Sequence, residues 1–128
     1  MEQSLLSRIG EIAASAKDIH GIRVITFNAG EVSADSLRIL AQSLCEHLKE
    51  TNAVISVGGV SKDRPQVIVA TTQQARDQGI KAGDLVKIAA QTMGGGGGGR
   101  PDLAQGGGKD ASKLADALQA IASKIAAR

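Results

Sequence analysis

The sequence predicts an α/β fold, a small mixed β-sheet with helices packed on it and a Gly-rich loop between two C-terminal helices. Three observations carry that prediction. The β-branched runs "IRVITFN" at 22–28 and "AVISVGG" at 53–59 flank a stretch whose Leu37, Leu40, Ala41, Leu44, Cys45 and Leu48 share one helical face. Strand, helix, strand in that order favours two parallel strands joined by a right-handed crossover. A third run, "QVIVAT" at 66–71, follows after only the turn "VSKDRP" at 60–65. So short a connection makes an antiparallel hairpin, and the sheet is therefore mixed.

The elements follow in order. Leu5, Leu6, Ile9, Ile12, Ala13 and Ala16 form one stripe, so a helix is expected over 3–17, with Gly21 as its stop signal. Ser33 is a good N-cap for the helix that runs through Glu50, because its hydroxyl can accept from the free amides of the first turn. "TQQARDQGI" is a polar connection with room for a helical turn. Residues 82–93, with Leu85, Val86, Ile88, Ala89 and Met93, form a compact helix ending at the glycines. The last helix, 111–126, aligns Leu114, Leu118, Ile121 and Ile125, and Asp110 is its expected N-cap.

Composition sets bounds on function. A chain of 128 residues, 42% hydrophobic, fits one domain with a single aliphatic core. Phe27 is its only aromatic residue, which argues against the stacking platforms of single-strand binders. The formal charge of +2 is too small by itself to announce a nucleic-acid partner. Between Lys81 and Lys113 the basic residues Lys81, Lys87, Arg100, Lys109 and Lys113 outnumber the acids Asp84, Asp102 and Asp110. The lone Cys45 excludes an internal disulfide and a multi-cysteine zinc site, and reads as a small core residue in a reducing compartment. No apolar run approaches ~18 residues and no signal peptide opens the chain, so a soluble, cytoplasmic, non-membrane protein is expected.

Glycine is the most informative residue. Of sixteen, six stand at Gly94–Gly99 and three at Gly106–Gly108. A dinucleotide fingerprint needs its glycines after a strand, whereas this run follows a helix. A P-loop fails too, because Asp110 stands where the hydroxyl should be and Leu103 where the first glycine belongs. A flexible linker would fit the composition but not the location between two helices of one core. Pro101 and the apolar Leu103 also interrupt it. Bare backbone can approach a ligand closely, and successive amides make anion-binding nests. Gly106–Gly108 lie just ahead of the last helix, whose N-terminal amides attract anions, with Arg100 and Lys109 adding charge. A phosphodiester backbone or free phosphate is the natural partner.

"KAGDLVKIAAQTMGGGGGGRPDLAQGGGKDASKLADAL", residues 81–118, resembles the hallmark of the C-terminal (C-Ala) domain of bacterial-type alanyl-tRNA synthetases. The Gly-Arg-Pro-x-x-Ala-Gln-Gly motif, Gly99 to Gly106, is its most specific part, and "VSKDRPQVIVATT" fits more loosely. Residue 96 is Gly where many relatives carry Lys or a similar side chain. The resemblance implies that residues 1–20 end a helical, dimerisation-type subdomain and 21–128 form the globular domain. It implies a tRNA-binding role, docking on the elbow of alanine-specific tRNA so that the aminoacylation and editing domains of the same chain share one tRNA. ATP, magnesium and zinc belong to those other domains; no cofactor is implied here. A related domain follows DHH phosphoesterase domains, where a Gly-Gly-Gly-His-like motif holds substrate. Arg100-Pro101 in place of a histidine favours the synthetase branch, with a DHH-type phosphoesterase domain or a dimerisation module as alternatives.

The expected nucleic-acid contacts are Gly94, Gly95, Gly97, Gly98, Gly99, Arg100, Pro101, Gln105, Gly106, Gly107, Gly108 and Lys109, with Lys62, Arg64 and Lys87 as weaker candidates. Gln105 can donate to a phosphate or base edge, or cap the loop. His20 and His47 lack neighbours at ligand spacing, and no nucleophile–base pair or carboxylate cluster stands out. No metal site and no catalytic residue is therefore expected.

Overall fold

A computed structural model describes residues 5–128. Its helices are α1 (Ile9–Ala14), α2 (Ala34–His47), α3 (Gln73–Asp77), α4 (Ala82–Thr92) and α5 (Leu114–Ala126). Its strands are β1 (Lys17–Ile19), β2 (Ile22–Glu31), β3 (Ala53–Ser61), β4 (Arg64–Thr71), β5 (Gly97–Gly99) and β6 (Leu103–Gly107). They form one sheet in the order β1-β2-β3-β4-β6-β5. As the β-α-β pattern predicts, β2 and β3 are parallel; every other pairing is antiparallel.

The central strands read as near-continuous apolar runs because both faces of the sheet are covered. Val67 and Val69 of β4 point toward α4 and α5, while Ile68 and Ala70 point toward α1 and α2. Ser33 caps α2 as expected, its hydroxyl accepting the Ser36 N–H at 3.1 Å. The β3–β4 turn places Lys62 and Asp63 at φ of 52° and 65°, the paired left-handed geometry of a tight hairpin.

The structure corrects the sequence reading in two places. The expected helix over 3–17 has its main body at Ile9–Ala14, and positions 3 and 4 lie outside the described residues. Lys17–Ile19 is instead an edge strand paired with β2, so Gly21, at φ 82°, is a hairpin-turn residue rather than a helix stop. Its N–H donates to Asp18 Oδ1 at 2.8 Å. His20 closes the same corner, its Nε2 donating to the Ala126 carbonyl at 2.8 Å.

The second correction concerns the glycines. The stretch between α4 and α5 is not an open loop: it folds into the β5–β6 hairpin, and β6 pairs with β4 along Leu103–Gly107. On one face this hairpin rests against α4; on the other, α2 packs mainly over β3 and β4 and reaches β6 through Arg38 and Leu103. The sheet therefore ends in a glycine-rich shelf that is covered on one side and largely open on the other.

Candidate nucleic-acid interface

The shelf is held by close backbone packing. Gly94, at φ 77°, ends α4 in a Schellman turn, its N–H bonding Gln91 and the Gly95 N–H bonding the Ala90 carbonyl at 2.8 Å. A Cβ at Gly95 would lie 2.0 Å from the Gly107 oxygen, at Gly97 2.5 Å from the Gly106 Cα, and at Gly108 2.4 Å from the Met93 oxygen. One on Gly106 would press Val86 and Ala90 of α4 at 3.2 Å. These positions are glycine because strand, hairpin and helix touch there.

Two others, Gly96 and Gly98, are not so constrained, and Gly107 is less tightly held. A Cβ on Gly96 meets nothing within 4 Å, on Gly98 only the Lys87 Cε at 3.9 Å, and on Gly107 the Pro65 oxygen at 3.3 Å. None of the three has a left-handed backbone. Gly98 lies directly opposite Gln105, and Gly107 opposite Gln66, so both belong to the open face. The fold demands most of the nine glycines but neither Gly96 nor Gly98, while Gly107 is limited by that one main-chain contact.

Along the open face a groove follows β6. Arg64, Gln66, Gly96, Gly107 and Lys109 line one end. Its middle holds Arg38, Gln105 and Gly98. At the other end Arg100 and Leu103 lead into a cavity of about 320 Å³ that also includes Cys45, Lys49 and Arg76. Arg38 Nη2 donates to Gln105 Oε1 at 2.9 Å, and its Nη1 pairs with Asp35 at 3.2 Å. Arg76 is held by the Thr71 carbonyl and by Gln73 Oε1, the latter at 3.1 Å. Arg100 pairs with Asp102 at 3.4 Å but its side chain is 73% exposed, leaving the guanidinium available. Burial pushes the Cys45 thiol above its ordinary 9.0, against the opposing pull of Arg76, so it stands protonated at the groove wall.

The expected contacts divide accordingly. Arg100, Gln105, Gly98, Gly107, Lys109 and Arg64 line the groove, and Lys87 reaches its β5 edge. Lys62 sits in the β3–β4 turn beside Arg64. Pro101 is exposed, and its carbonyl accepts the Ala82 N–H at 2.8 Å and the Thr71 hydroxyl at 2.6 Å, pinning the hairpin end. Gly95, Gly97, Gly99 and Gly106 serve packing, since a Cβ at Gly99 would approach the Ala104 Cα to 2.7 Å. Ahead of the last helix, a 3-10 turn at Ala111–Lys113 intervenes and Asp110 accepts the Ser112 N–H at 3.0 Å. The Ser112 hydroxyl donates to the same carboxylate at 2.5 Å, and it, with the N–H second, lowers the Asp110 pKa. Arg38, Lys49, Arg76 and Gln66 escape a reading by motif, because each reaches the groove only through sheet pairing or helix packing. Among the described residues no group of three or more His, Cys, Asp or Glu side chains could hold a metal ion, and no helix is long and apolar enough to cross a membrane.

Residues 21–127 match the DHHA1 domain. The chain belongs to the DHHA1 family. Over 118 residues it is 54% identical to an alanine–tRNA ligase of Kineococcus radiotolerans, covering 91% of this chain and 13% of that protein. This DHHA1 chain thus spans about one-eighth of that relative's length. The crystal structure of the C-Ala domain from Aquifex aeolicus alanyl-tRNA synthetase superposes with a TM-score of 0.68 at 25% identity, over 88% of this chain and 96% of that one. The fold alone is shared with a DHH-domain member of the s1p family of ribosomal proteins, with a TM-score of 0.67 at 18% identity over 98% of this chain and 30% of that one. The α/β architecture read from the sequence is thus that of a C-Ala domain.

Proposed function

We propose that this DHHA1 domain is the tRNA-binding part of an alanine–tRNA ligase and that it seats the RNA sugar-phosphate chain in the groove along β6. One observation carries the reading. Gly96 and Gly98 are bare where the fold does not require it, Gly107 adds a third bare position beside them, and Arg38, Arg64, Arg100 and Lys109 stand along that same floor. A main chain without side chains admits phosphates and 2′-hydroxyls, the features by which folded RNA is recognised. Arginine adds planar, charge-assisted donors. The similarity to alanine–tRNA ligases supplies the kind of RNA, a tRNA accepting alanine. Holding the tRNA elbow would let the parent's aminoacylation and editing domains work on one bound molecule in the cytoplasm, with ATP, magnesium and zinc held in those domains. Tethering raises the effective concentration of the second contact, so modest affinity in the isolated domain suffices.

Filter binding of a tRNA transcript over a range of salt tests the proposal. Each phosphate contact contributes roughly −0.7 to −0.9 to the slope of log K against log salt. Replacing Arg100→Ala and Lys109→Ala together removes about two such contacts. Undiminished binding in the double variant takes both residues out of the site. An Asp-His-His motif upstream in the gene would instead support the phosphoesterase alternative. Pairing of two copies through residues 1–20 would have to use side chains other than Leu5, Ile12 and Ala13, which are buried in this chain's own core; sedimentation of the chain decides it.

A further inference from the structure

We infer that Gln66 forms a ribose 2′-hydroxyl subsite at the Arg64–Lys109 end of the groove, by which the domain distinguishes RNA from DNA. The inference rests on the nucleic-acid reading above and adds to it a residue and a specificity. Gln66 lies on β4 between Gly59 of β3 and Gly107 of β6, so neither flanking strand offers a side chain to its amide. Its Oε1 is buried and has no hydrogen-bond partner. Buried polar atoms are nearly always paired, and each exception calls for a physical reason. Asn52 Oδ1 and Ser56 Oγ are also buried and unpaired, but neither lines the cavities along β6, whereas Gln66 does.

The surroundings define the missing partner. The cavity measures about 350 Å³, within the size range of small-ligand sites. Arg64 and Lys109 supply positive charge, while Gly96 and Gly107 keep its floor bare. The complementary group is an anion with a small hydroxyl close beside it, which is the ribose-phosphate unit of RNA. A 2′-hydroxyl both donates and accepts, so it satisfies the Gln66 amide whichever way the oxygen and nitrogen point. Deoxyribose offers the same phosphate and leaves the amide unpaired. Arg64 and Lys109 therefore contribute affinity of either sugar type, and Gln66 contributes the discrimination.

The test uses this 128-residue chain and a pool of tRNA transcripts carrying sparse, random 2′-deoxy substitutions, with bound and free fractions sequenced. Wild type is expected to deplete one or two 2′-deoxy positions about five- to tenfold from the bound fraction, the effect of one buried hydrogen bond. Gln66→Met, of similar length and without the polar atoms, should restore those positions to parity with the salt slope and Tm retained; Gln66→Leu is the second variant should Met misfold. Arg64→Ala with Lys109→Ala should do the reverse, lowering the salt slope while the depletion persists. An unchanged depletion pattern in both Gln66 variants, or binding by wild type with no depleted position, overturns the inference and leaves the tRNA reading intact. Failure of wild type to bind any transcript overturns both.

Discussion

Two adjacent glycines allow the packing role of the hairpin to be separated from its binding role. At Gly97, an added Cβ falls 2.5 Å from the Gly106 Cα and 2.9 Å from the Gln105 oxygen, both main-chain atoms that cannot rotate away. Overpacking of this kind costs about 1–3 kcal/mol. Unfolding entropy of ~2.1 cal/mol/K per residue gives roughly 0.27 kcal/mol/K for a chain of this size, so Gly97→Ala should lower Tm by about 4–11 °C. At Gly98 the new methyl meets only the mobile end of Lys87 at 3.9 Å. Gly98→Ala restricts the unfolded chain without a clash, which offsets any small loss, and Tm should stay within about 3 °C of wild type. Binding should behave in the opposite sense. The Gly98 methyl stands on the groove floor opposite Gln105 and holds a phosphate off, forfeiting a charge-assisted hydrogen bond worth about 1.5 kcal/mol, or roughly tenfold in Kd. Differential scanning calorimetry and filter binding on the two variants give all four values. Equal losses of Tm would mean that Gly98 is bare for packing after all, and wild-type affinity in Gly98→Ala would move the RNA off this face.

Further outcomes follow from the same groove. Arg38→Ala removes a partly exposed side chain and leaves Gln105 with solvent, so stability should change by less than about 1 kcal/mol while tRNA affinity falls and the salt slope loses about 0.7–0.9, measured as above. The Cys45 thiol, raised above 9.0 by burial, should alkylate slowly at neutral pH, and bound tRNA covering the Arg100 end should slow it further; mass spectrometry reads both rates. Because the folded-state value is the higher one, stability associated with Cys45 is complete below pH 9.0 and declines as pH rises through the raised value, a loss that Cys45→Ala should not show in alkaline melts. Asp110 is the opposite case: its lowered pKa means that the cap's charge-linked stability holds above 3.8 and is lost as pH falls, so the Tm gap between wild type and Asp110→Ala should narrow in acid.

The elements legible in the sequence are those set by local periodicity. β2, α2, β3, β4, α4 and α5 each carry an apolar face long enough to fix period and direction, and the parallel and antiparallel pairings follow from connection length. β1 was not legible, since Lys17–Ile19 is three residues long and is a strand only because the His20–Gly21 turn folds it onto β2. β5 and β6 were hidden for a different reason. Glycine has little strand propensity of its own, and these strands exist because β4 presents an edge and α4 a close-packed floor.

The groove proposed as the binding surface was legible in the sequence only in part. Bare backbone with Arg100 and Lys109 could be read from the motif; Arg38, 67 residues from Gln105, could not, because only the placement of α2 beside β6 brings the two together. Folding the glycines into a sheet also alters what they can offer a ligand. In a loop, all nine would be equivalent and mobile, and ordering them on RNA would cost conformational entropy at every residue. In the hairpin, register fixes Gly98 and Gly107 on the open face, and packing holds their neighbours against α4 before any ligand arrives. The clash-limited glycines thus preorganise the unconstrained ones, which is what the proposed RNA seat requires of a domain with modest charge.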